Sequence, residues 1–242
     1  KAMKKVQNLR SPLLDAVATM NGYGMEVASG IIMGLDTDTP QTADAIIDFA
    51  SQSSIPIMTV NILYALPNTA LYTRLEKEGR ILSPEEAAGR DSKIRFLRPY
   101  EDVVQDRLRV IETSYAPDLL YQRYAYNAEH TYPNQARPAN PLSQATWRTL
   151  KRAGNIMRKM IWSVGIRSRY RKLFWQMAKR QFKSGNIESI FQIGMVAHHL
   201  ISYADECIQG KLQASNYSPR DVERNEAAET NGSEKSNTPL AA

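Results

Sequence analysis

Residues 30–40 read GIIMGLDTDTP. Two glycines bracket apolar residues, two aspartates follow, and Thr39-Pro40 has the form of a helix start. Upstream the pattern extends to residues 25–35, a short, β-branched, apolar run bounded by glycines, as expected of a buried strand. Downstream, Thr39 can cap a helix that carries Pro40 in its first turn and Ala45, Ile46, Phe49 and Ala50 on its inner face. IPIMTVNILYAL (55–66) is a second apolar strand, closed by Pro67-Asn68. Residues 1–22 place Leu13, Leu14, Val17 and Met20 at helical spacing and end at Asn21-Gly22. The order helix–strand–helix–strand, with strands apolar on both faces, predicts a parallel sheet. Two strands are too few to close one. The chain begins at Lys1 without a methionine, and the missing strands are expected upstream in a longer protein.

The acidic turn admits several chemistries. A calcium loop counted from Asp36 supplies Asp38 but places Pro40 and Gln41 where a ligand and the turn glycine belong. A dinucleotide fingerprint needs Gly-x-Gly-x-x-Gly opening a helix, whereas Gly30 lies inside the strand and Gly34 at its end. What survives is position: parallel sheets bind ligands at the carboxyl ends of their strands, where Gly34-Leu35-Asp36 sits. The same residues also suit a plain turn in which Asp36 and Asp38 only cap. The stretch alone leaves both open.

With 43% hydrophobic and 23% charged residues, the composition is that of a globular protein, and no apolar run reaches membrane-spanning length. The single cysteine, Cys207, excludes a disulfide framework or a cysteine-cluster metal site within these residues, and a cytoplasmic setting is expected. The net charge of +6 is concentrated in residues 147–183, which hold twelve basic residues, no acidic ones and all three tryptophans. After a short helix ending at Gly79 and a polar connector, helical patterns dominate from Tyr100: one over YEDVVQDRLRVIETSY, a tyrosine-rich one stopped by Pro133, two over 144–183 divided at residues 163–168, and one over 184–207. A proline-broken linker precedes the basic helices, and residues 211–242 lack apolar periodicity and read as a disordered tail.

GMEVASGIIMGLDTDTP with TADAIIDF, followed by IPIMTVNILYALPNTALYTRLEKEGRI, resembles the second half of the core of cobalamin-binding radical S-adenosylmethionine enzymes. Gly30, Ile32 and Gly34 carry the Gly-x-Ile-x-Gly pattern that lies against adenosylmethionine in that family. The pattern often ends in glutamate; Thr37 stands there instead, flanked by Asp36 and Asp38, a departure shared by the subgroup with a helical C-terminal extension. ALPNTALYTRL resembles that subgroup's turn after its last core strand. VQNLRSPLLDAV, LDTDTPQT, YQRYAYNAEHTYPN and GIRSRYRKLFWQMAKRQFKSGNIESIFQIGMVAHHL bring the chain, over residues 1–205, close to the hopanoid-methylating branch.

The resemblance implies an α/β fold: residues 1–80 as the last strands and helices of a partial parallel (β/α) barrel, and residues 81–210 as a mainly α-helical C-terminal domain. It implies adenosylmethionine binding at Gly30, Ile32, Gly34, Asp36 and Leu66, with Tyr64 on the substrate side and no metal ligand. The [4Fe–4S] cluster, held by a Cys-x3-Cys-x2-Cys loop, and cobalamin would be bound upstream of Lys1, so these residues alone would be inactive. The reaction implied is methylation of an unactivated carbon, C-2, of a polycyclic triterpenoid (a hopanoid), with a reducing partner protein. Another substrate within the same subgroup, or a non-enzymatic membrane-surface module, are the alternatives.

The basic segment fits an interfacial helix on anionic lipid, with Arg167, Arg169, Arg171 and Lys172 facing the surface. It also fits a solvated basic face over an ordinary core. The expected partner is the membrane, on its cytoplasmic side, and not nucleic acid. His198 and His199 are adjacent and point to different helix sides, which disfavours a shared metal. Tyr121, Tyr124, Tyr126 and His130 suit a packed helix face better than a pocket, and Cys207 has no assigned role.

Overall fold

The computed structural model describes residues 12–135 and 147–211. The first part of the predicted N-terminal helix, the proline-broken linker and the tail beyond Lys211 lie outside them. Helix α1 spans Leu13–Gly22, and strand β1, Ala28–Met33, runs parallel to β2, Ile57–Ile62, with helix α2, Thr42–Gln52, between them in the chain. The register pairs Ala28 with Ile57 and Met33 with Ile62. The predicted βαβ unit is therefore present, with a sheet of two strands.

The face that α2 presents differs from the expected one. Ala43 and Ala50 are buried and Ile46 and Ile47 pack on the core, whereas Ala45 is exposed. Positions 43, 46, 47 and 50 share one side at helical period, which leaves Ala45 on the other. Thr39 is not a side-chain cap; its backbone N–H donates to Thr42 Oγ1 at 2.9 Å in the turn before the helix.

Helix α3, Ala70–Lys77, is capped by Thr69, whose hydroxyl accepts from the Tyr72 N–H at 3.2 Å. The helices that follow are α4, Tyr100–Ser114, and α5, Pro117–His130, which runs into a 3₁₀ turn over Tyr132–Asn134. Helix α6, Trp147–Met160, continues as a π-helical turn over Ile161–Arg167, where the sequence predicted a break. Then come α7, Arg171–Lys183, and α8, Ile187–Ile208.

These helices cover one face of the sheet. Met33 and Val60 join Val110 and Ile111 of α4, Leu120 and Tyr124 of α5, and Ile193 and Ile201 of α8 in one apolar cluster. Met58 lies in a smaller cluster with Val17, Ala50 and Ile55. A side chain fastens the sheet to the helices. Tyr115, just past α4, accepts the Met58 N–H at 3.0 Å and donates to the Met58 carbonyl at 2.6 Å. One hydroxyl thus does for Met58 what a further strand would do, in a setting where an unpaired backbone group is costly. Tyr115→Phe keeps the ring and deletes only this pairing. It is expected to lower stability by about 1–3 kcal/mol in urea unfolding, whereas Tyr126→Phe, at a part-exposed site, should change it by less than about 0.5 kcal/mol.

Candidate functional site

Exposure along the strands alternates instead of vanishing. On β1, Ala28, Gly30 and Ile32 are exposed, while Met33 is buried and Ser29 and Ile31 are half-buried. On β2, Met58, Val60 and Ile62 are buried, Thr59 is exposed, and Ile57 and Asn61 are half-buried. The register sets Gly30 beside Thr59 and Ile32 beside Asn61, so the outward residues of both strands share a face. The expectation of strands buried on both sides is corrected. Helices pack on one side, and among the described residues nothing covers the other, where Ile32 is 44% exposed. Among the described residues, a Cβ added at Gly30 would meet only Thr59 Oγ1, at 3.6 Å. This leaves a flat strip of backbone next to an exposed isoleucine.

At the carboxyl ends of the strands the backbone is tightly held. The Leu63 N–H donates to the Met33 carbonyl at 2.7 Å, and Ser92 Oγ donates to the Leu63 carbonyl at 2.7 Å. Gly34 has φ +90°, and a Cβ there would stand 2.8 Å from the Phe96 ring. Glycine is required both by the left-handed conformation and by that contact. Asp38 closes the turn, with Oδ2 accepting the Gly34 and Leu35 amides at 2.8 and 3.0 Å.

Asp36 is occupied otherwise. Its Oδ1 takes Arg80 Nη2 at 2.6 Å and its Oδ2 takes Arg74 Nη1 at 2.9 Å. Arg80 in turn donates from Nε to the Arg95 carbonyl at 2.9 Å. The Arg80 hydrogen bond, with help from Arg74, holds the Asp36 carboxyl below its ordinary value despite partial burial. The aspartate thereby ties the β1 turn to α3 and to the segment carrying Phe96. The sequence offered no sign of these two arginines, which lie 38 and 44 residues away.

Of the other predicted site residues, Leu66 is 48% exposed in the turn after β2, and Tyr64 is half-buried and engaged by neighbours. Ile62 is buried on the helix-covered face, because the two-residue period of the strand groups it with Met58 and Val60. Leu63 packs with Ala65, Leu75 and Ile94. Thr59 and Asn61 belong to the open face and were not singled out from sequence; the small residues at alternate positions 28 and 30 were the available signal.

In the basic segment, Arg167, Arg171 and Lys172 are exposed and form no ion pair among the described residues. Arg169 is exposed but pairs with Asp205 at 2.9 Å, so its charge is partly offset. Trp162 and Trp175 are 57% and 40% exposed. His198 is half-buried against the Tyr170 hydroxyl, and burial lowers its pKa, while His199 is exposed. Tyr121 and Tyr124 are core residues, and Tyr126 stacks on His130 at 4.3 Å between centroids. Cys207 is buried. Among the described residues no cluster of His, Cys, Asp or Glu could hold a metal ion, and no helix is long and apolar enough to cross a membrane.

The family described as "Domain of unknown function (DUF4070)" matches residues 69–213. The chain is 42% identical over 220 residues to a hopanoid C-2 methylase of Rhodopseudomonas palustris, an alignment covering 91% of this chain and 41% of that protein. It is 35% identical over 119 residues to an uncharacterized methyltransferase of Synechocystis, covering 47% of this chain and 22% of that protein. The chain thus spans about two fifths of the first relative's length and about a fifth of the second's. No solved structure matches significantly. The resemblance carried by the strand and turn motifs is borne out by the first relative.

Because both oxygens of Asp36 are spent on arginines, Asp36→Asn should cost roughly 1–2 kcal/mol. The contribution is present above the ordinary aspartate value of 3.8 and fades as pH falls through the lower folded value. Urea unfolding of wild type and variant should therefore differ at pH 7 and converge on strong acidification.

Proposed function

The chain belongs to the DUF4070 family, and we propose that it is the C-terminal part of a radical adenosylmethionine, cobalamin-dependent methyltransferase that methylates C-2 of a hopanoid. The observation that carries this reading is the 42% identity to a hopanoid C-2 methylase over 91% of the chain. The second relative, named only as a methyltransferase, supports the reaction class without the substrate.

The open sheet face supports this reading. Parallel strands are usually covered on both faces. Here one face carries Gly30 and Ile32 uncovered by the described residues, and it turns toward the interior of the partial barrel in this reading. Adenosylmethionine fits such a surface: Gly30 lets a flat ring lie on backbone, Ile32 and Leu66 offer exposed apolar area, and Gly34 with its Asp38-bonded turn holds the strand end in place. Asp36 contributes by anchoring that turn through Arg74 and Arg80. Tyr64 is the substrate-side candidate. When bound, adenosylmethionine supplies both the hydrogen-abstracting equivalent and the methyl group; these residues orient it and exclude water. In this proposal the cluster and cobalamin belong to the portion of such a methylase that this chain, spanning 41% of the first relative, does not cover. Residues 1–80 then complete the core, and residues 81–210 form the helical domain.

The exposed Arg167, Arg171 and Lys172, with Trp162 and Trp175, fit attachment to an anionic bilayer on its cytoplasmic side, where a hopanoid substrate resides. A reducing partner protein is part of the same proposal.

Deleting the encoding gene and profiling lipids is the test. Loss of 2-methylated hopanoids, restored by the wild-type gene, is expected. Unchanged levels would overturn the substrate assignment.

A further inference from the structure

The helical region contains an apolar cavity of about 490 Å³ between α6, α7 and α8, a size typical of small-molecule sites. Met157, Met160, Phe174, Phe182, Ile190 and Phe191 form much of its wall, and among the described residues its charged lining consists of Lys179 and Lys183, one turn apart on α7 and both exposed. Its apolar wall is open to water at several points: Phe182 is 69% exposed, Ile187 51% and Trp175 40%.

The cavity is built, not a gap left by loose packing. A Cβ at Gly194 of α8 would lie 2.9 Å from the Phe174 ring and 3.0 Å from Met160 Sδ. A Cβ at Gly165 would lie 3.0 Å from the Trp175 ring. Two glycines therefore admit the aromatic pair that lines it. The π-helical turn leaves the Gly165 carbonyl accessible, and Trp175 Nε1–H donates to it at 2.9 Å. That bond fixes the indole while its ring, edge-on to Phe174 at 5.2 Å between centroids, still faces the cavity. π-turns of this kind recur at functional sites.

We propose that this cavity takes the hydrocarbon chain of a single anionic lipid, with the headgroup held at the mouth by Lys179 and Lys183. An extended polypeptide segment would bring unpaired backbone into a wall that offers it no partner, whereas a hydrocarbon needs none. The mouth lies in a segment with twelve basic residues and no acidic ones, which selects a negative headgroup over a neutral or cationic one. The inference rests on the lipid-facing reading of these helices and adds to it a site for one molecule, distinct from surface adhesion.

The test uses the full-length protein and a bromine-labelled C18 fatty acid, kept monomeric below its micelle-forming concentration, with tryptophan fluorescence as readout. Saturable quenching is expected, and the quenched component should vanish in Trp175→Phe. Ala178→Phe, which fills the cavity, should abolish it, and Lys179→Glu with Lys183→Glu should weaken binding at least tenfold. Should Ala178→Phe fail to fold, the exposed lysine pair decides the matter. Quenching that is absent, unsaturable or indifferent to Trp175 and the lysines would overturn the site. Anionic vesicles form a separate arm, in which replacing Arg167, Arg169, Arg171 and Lys172 should remove salt-sensitive binding. Vesicle binding without monomer quenching overturns the pocket and leaves surface attachment standing; monomer quenching without vesicle binding supports the pocket and overturns surface attachment.

Discussion

A pair of parallel strands has two faces and two outer edges, and the described helices cover only part of that surface. Met33, Val60 and Ile62 are buried beneath the helices, and the Tyr115 hydroxyl completes the backbone pairing of Met58. The other features follow from what is left uncovered. Ala28, Gly30 and Ile32 of β1 and Thr59 of β2 look outward from a sheet type that is ordinarily enclosed. An open face with a glycine beside an exposed isoleucine can accept a flat ligand, and the turn beyond it is built for rigidity: Gly34 against Phe96, Asp38 on two amides, Asp36 between two arginines.

Much of this was legible in the residues. The βαβ order and the parallel pairing follow from period, glycines and composition. The aspartates of the opening stretch shape a turn, as one of the two sequence readings held, because their carboxylates go to local amides and to Arg74 and Arg80. What could not be read was side-chain direction and long-range pairing. Placing Ile62 inside and Ile32 outside depends on register, since a shift of one residue exchanges the faces. Ala45 was misplaced on α2 for a similar reason: an alanine fits either side of a helix, and only the partners in α4 and the sheet decide. The Asp36 arginines and the Tyr115–Met58 bond span 38 to 57 residues and leave no local mark.

The helical region repeats the theme of apolar surface left open, with different electrostatics. Near the sheet, charges are paired: Arg98 with Asp106, Arg107 with Asp91, Arg74 and Arg80 with Asp36. Over residues 147–183 there is no acidic residue to pair with, so partners must come from α5 and α8, as for Arg180 with Glu129 and Arg169 with Asp205. The remaining cations stand beside exposed Trp162, Trp175 and Phe182, a combination suited to lipid headgroups above hydrocarbon. A protein whose substrate dissolves in a bilayer would gain from such a surface.

In the proposed function, the open sheet face is the adenosylmethionine side. Gly30 isolates it, because among the described residues an added Cβ there meets Thr59 Oγ1 at 3.6 Å, an ordinary van der Waals distance. Equilibrium binding of adenosylmethionine to the full-length protein, wild type and Gly30→Val, tests it most directly. At a melting temperature unchanged to within a few degrees, the account predicts at least a tenfold loss of affinity in the variant. Equal affinity in both proteins would contradict it.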